Sequence, residues 1–69
     1  FFNVYPNPIN ENFIIHSLNV GEISIFNVCG QKILTKKLNG FPKTINSEKW
    51  KPGIYFITNG YLTQKIIKQ

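Results

Sequence analysis

The chain has no arginine, no aspartate and no methionine, and its only cysteine is Cys29. A lone cysteine cannot close an internal disulfide, so this domain cannot staple a thin core as many small secreted domains do. Without arginine there is no planar fork for bidentate contact with phosphates or base edges. The eight lysines are scattered along the chain, so the net charge of +5 does not outline a nucleic-acid surface. One His, one Cys and the dispersed Glu11, Glu22 and Glu48 give no ligand pair with metal spacing and no carboxylate pair for acid–base chemistry. A glycine-rich phosphate loop is also missing, and neither a metal nor a cofactor is expected. The longest apolar run, residues 54–57, is far too short to cross a bilayer. No initiating Met or signal-peptide pattern opens the sequence, which predicts a segment cut from a longer protein.

Catalysis finds little support in what remains. His16 and Cys29 could be cast as base and nucleophile, yet nothing in their spacing argues for contact. The expectation is a strand histidine facing solvent or a neighbouring ring, and a small apolar cysteine buried at a turn. If exposed, Cys29 could instead pair between chains. No enzyme is expected here.

What the sequence does contain is a succession of short strands and turns. Residues 2–5 predict an opening strand, closed by "YPNPIN". Its two prolines, Pro6 and Pro8, lack backbone donors, which confines the segment to an edge or a lead-in. "NFIIHSL" places Phe13 and Ile15 on one face and Ile14 and His16 on the other, and "NVG" predicts a turn over residues 19–21. In "EISIFNVCGQKILTKKL" the residues Asn27 to Gly30 predict a type I turn with a left-handed glycine between two strands. "NGFP" predicts the next loop, "KTIN" a short strand around Ile45, and "NSEKW" one helical turn at most.

Pro52-Gly53 suits the centre of a type II turn feeding a strand. Asn59-Gly60 predicts a type I′ hairpin, which sets Thr58 opposite Tyr61, Ile57 opposite Leu62, Tyr55 opposite Gln64 and Gly53 opposite Ile66. Tyr55, Ile57, Leu62 and Ile66 then form a candidate core face. Ile54, Phe56 and Ile67 share the other face with Lys65. Apolar groups on both faces are unusual in a two-layer sandwich, so this second set is expected either to be covered or to form a docking patch. Trp50 has two readings, a plug at the end of the sandwich or a sugar-stacking platform, and the plug is favoured. Together these elements predict one all-β domain over residues 1–69, an antiparallel sandwich of about seven short strands.

Four stretches in order, "VYPNPIN", "ISIFNVCGQKI", "KPGIYFI" and "QKIIKQ", closely resemble the C-terminal sorting domain of the type IX secretion system of Bacteroidota-type bacteria. The family's opening motif matches Tyr5, Pro6, Asn7 and Pro8, its glycine turn Asn27 and Gly30, and its strand start Pro52, Gly53 and Tyr55. Its basic-aliphatic terminus matches Lys65, Ile66, Ile67 and Lys68, with Gln69 added after the usual last lysine. Cys29 and Trp50 stand where leucine is common. The resemblance implies an immunoglobulin-like β-sandwich at the C-terminus of a larger cargo protein. It implies passage through the periplasm, recognition by the outer-membrane translocon and its associated proteins, and removal by a sortase-like cysteine peptidase. The cargo would end secreted or at the cell surface, and residues 65–69 would be the signal that is read. The rival reading is a structural or carbohydrate-binding appendage of a secreted hydrolase.

Overall fold

A computed structural model describes residues 2–17, 20–39 and 42–69. Seven strands follow one another: β1 (Phe2–Tyr5), β2 (Asn12–Ser17), β3 (Val20–Asn27), β4 (Lys32–Asn39), β5 (Lys43–Asn46), β6 (Gly53–Thr58) and β7 (Thr63–Lys68). They pair antiparallel in two sheets, β1-β2-β5 and β4-β3-β6-β7. The expected all-β sandwich is what forms. The "NVG" and "NGFP" turns lie partly outside the described residues.

Each strand alternates because successive side chains point to opposite faces of a sheet. Val4, Phe13, Ile15 and Ile45 face inward from the three-stranded sheet, and Ile23, Ile25, Tyr55, Ile57 and Ile66 from the other; all are buried. Trp50 packs against this core. Its ring meets Phe13 edge-on at 5.5 Å and Tyr55 at 4.9 Å between centroids, which is the plug and not the platform.

The β3–β4 turn follows its sequence. The Gly30 amide donates to the Asn27 carbonyl at 3.0 Å, and Gly30 sits at φ +83°, where a Cβ would be strained. The Asn27 side chain completes the turn, its Oδ1 accepting the amides of Cys29 and Gln31 at 2.9 and 3.0 Å. Cys29 itself is exposed, contrary to the expectation of burial. It lies in the turn between β3 and β4, outside both strands.

Two turns differ from expectation: Gly53 enters β6 at φ +151° and not at the roughly +80° of a type II turn, and the β6–β7 hairpin is closed by a side chain. Before β6, the Lys51 carbonyl accepts the Tyr55 hydroxyl at 2.6 Å. A tyrosine near a strand start that bonds back to the chain a few residues upstream is the corner that holds immunoglobulin-like sandwiches together. In the β6–β7 hairpin, Asn59 Oδ1 accepts the amides of Tyr61 and Leu62 at 2.9 and 2.8 Å. That arrangement leaves Gly60 as the left-handed residue, at φ +95°, and spares Asn59 the positive φ that a type I′ turn demands. The turn therefore centres one residue later, and the register becomes Thr58↔Thr63, Ile57↔Gln64, Tyr55↔Ile66 and Gly53↔Lys68. A slip of two residues preserves faces. Ile66 stays in the core, while Leu62 leaves the strand and is exposed.

Candidate functional site: the terminal strand and its strap

β7 is the outermost strand of its sheet, so one of its edges has no strand partner within that sheet. An open edge of this kind invites pairing with other chains. Residues 7–10, from the proline-bracketed stretch, lie along that edge instead. Asn7 spans two positions: its Nδ2 donates to the Lys65 carbonyl at 3.1 Å, and its Oδ1 accepts the Ile67 amide at 3.1 Å. One side-chain amide thus offers the donor and acceptor that a neighbouring backbone would supply. Ile9 continues the contact as a parallel bridge to Lys68. Its amide donates to the Ile67 carbonyl at 2.7 Å, and its carbonyl accepts the Gln69 amide at 3.0 Å. Pro6 and Pro8 can flank such a strap because neither has to donate.

Alternation divides the terminal residues. Ile66 points inward and is fully buried. Lys68 also lies on the inner side, only 8% exposed, and its Nζ donates to the Asn10 carbonyl at 2.6 Å. The same carbonyl accepts Ser47 Oγ at 2.9 Å, while the Ser47 amide donates to the Glu11 carbonyl at 2.8 Å. Lys68 is therefore a latch between the last strand and the strap, its long apolar stem covered and its charge held by a backbone dipole. Lys65, Ile67 and Gln69 face solvent. Because the strap occupies the backbone edge of 65–69, this stretch offers solvent those side chains and not a free row of amides and carbonyls.

The other three motif stretches converge on the same place. Asn27 pairs with Tyr55 across β3 and β6, and Tyr55 pairs with Ile66 across β6 and β7. Gly53 lies opposite Lys68, which Ile9 flanks on its far side. Segments up to 60 residues apart in sequence, such as Asn7 and Ile67, thus build one end of the sandwich. Sequence reasoning missed Ile9, Asn10 and Ser47. Ile9 carried a usable signal, an isolated apolar residue straight after Pro8; Asn10 acts through its carbonyl and Ser47 carried none.

Replacing Asn7 by alanine removes both edge bonds at once. Each is of the kind that contributes about 0.5–1.5 kcal/mol, so a loss of about 1–3 kcal/mol is expected. Amide exchange should rise first at Ile67, which hydrogen–deuterium exchange would resolve. Protection at Ile67 unchanged in the variant would mean the strap does not hold the strand.

Chemistry elsewhere is sparse. His16 lies on β2 of the three-stranded sheet and Cys29 at the tip of the other sheet. Among the described residues no group of three or more His, Cys, Asp or Glu could hold a metal ion, and no helix is long and apolar enough to cross a membrane. The family described as a secretion system C-terminal sorting domain matches residues 3–69. Comparison with curated proteins and comparison with solved structures found no match.

Proposed function

Because the chain belongs to the family of type IX secretion C-terminal sorting domains, we propose that residues 65–69 are the part of this signal that the translocon contacts. In this reading Lys65, Ile67 and Gln69 are presented to the export machinery, while Ile66 and Lys68 hold them in place. A flexible peptide would have to be ordered on binding; a terminal strand already paired on both edges avoids part of that entropy loss. The domain acts as the substrate of its machinery. A cargo domain precedes it in the same chain, crosses the periplasm and is carried through the outer membrane. A sortase-like cysteine peptidase then removes the sorting domain, leaving the cargo secreted or on the cell surface.

The family match over residues 3–69 carries this reading, and the strapped terminal strand supports it. The test fuses the chain behind a passenger bearing a periplasmic export signal, in a bacterium with an intact type IX system. The passenger should reach the medium or cell surface, shortened by about the domain's 8.0 kDa. A passenger left in the periplasm overturns the sorting role, and an exported passenger of full mass overturns the removal step.

A further inference from the structure

The outer face of the four-stranded sheet carries an apolar band that the core does not explain. Across one row, Phe26 on β3 pairs with Phe56 on β6, which pairs with Lys65 on β7. At the other end of this row Lys32 sits opposite Phe26, its Nζ 5.9 Å from the ring centroid. A second row pairs Ile54 with Ile67, exposed by 40% and 41%. Both phenylalanines are half-buried, so the aromatic row stands out from the sheet less than the two isoleucines.

Its borders are distinct. On one side lies a row of hydroxyls, Thr35, Ser24, Thr58 and Thr63, joined by register across all four strands. Glu22 lies beyond that row, opposite Lys37. No carboxylate therefore enters the apolar rows, and each end of the aromatic row is a lysine. An apolar centre with a polar rim is the anatomy of a protein interface.

We propose that this face is a docking surface for a protein of the export machinery that presents a flat apolar area rimmed by carboxylates. The proposal rests on the sorting reading and extends the signal from β7 into β3, β4 and β6. Charge decides between occupants. A two-fold pairing of two copies along the aromatic row would set Lys32 against the partner's Lys65, like against like, in a chain of net charge +5. A lipid surface would call for side chains that protrude together. Among the described residues the most protruding apolar groups are Val28 and Tyr61, 71% and 94% exposed, and they occupy turns at opposite ends of the sheet.

The test uses the passenger fusion with a photo-crosslinking phenylalanine derivative at Ile54, and a control at exposed Thr44 on β5 of the three-stranded sheet. Ile54→Lys and Lys32→Glu are exported in parallel; both sites lie outside residues 65–69 and both side chains are exposed. Crosslinks from position 54 to a type IX outer-membrane protein are expected, with none from position 44. Each substitution should lower export about tenfold at an unchanged melting midpoint. Wild-type and both variants exported alike, or crosslinks only to lipid or to a second copy, overturn the face and leave the sorting role standing. A wild-type fusion that is not exported overturns the sorting role itself.

Discussion

Ile66→Ala is expected to unfold the domain and strand its passenger, whereas Ile67→Ala should leave the fold intact and still cut export about tenfold. The two residues are adjacent, chemically identical and on opposite faces of β7, with Ile66 fully buried and Ile67 41% exposed. Truncating a buried isoleucine to alanine costs about 2–5 kcal/mol. A 69-residue domain without a disulfide has only a few kcal/mol in total, so that loss removes most of its stability. Ile67 loses little packing, and surface changes of this kind stay within about 0.5 kcal/mol. A tenfold fall in export corresponds to about 1.4 kcal/mol of lost contact with a partner. Thermal melting and export of the same two fusions separate the roles. If Ile67→Ala is exported at the wild-type rate, the terminal strand serves the fold alone.

Trp50→Ala should be as severe, for a different reason. Its ring fills the space between Phe13 and Tyr55. Removing a packed aromatic costs about 3–5 kcal/mol, and Tyr55, whose hydroxyl holds the corner at Lys51, would lose its neighbour. Trp50→Leu, which restores apolar volume, should recover at least half of the lost stability, read as the denaturant midpoint. Millimolar sugars should leave Trp50 fluorescence unchanged, because the half-buried ring is already engaged by Phe13 and Tyr55. A saturable spectral shift on adding sugar would revive the carbohydrate-binding reading.

Local chemistry explains why so much could be read in advance. A period of two in "NFIIHS" and "EISIF", punctuated by Gly, Pro and Asn, is sufficient to call strands, and Asn27 with Gly30 specifies its turn within four residues. The β6–β7 register differs from the expected one because Asn59 can act either as a left-handed backbone or as a side-chain acceptor. Both options are local, and the choice between them turns on which amides are satisfied. Tyr55 lies in the core as expected, yet its hydroxyl bond needs the folded corner to bring the Lys51 carbonyl within reach.

Residue order and local chemistry suffice for an all-β chain of alternating strands, the β3–β4 turn, a disulfide-free core and the membership that four short motifs reveal. What those motifs have in common emerges when the chain folds. Side-chain alternation acts over two residues, but Asn7 meets Ile67 and Lys68 meets Asn10 across almost the whole chain. Their proximity follows from two sheets closing on one core, which brings the first loop onto the last strand; no local pattern encodes that distance.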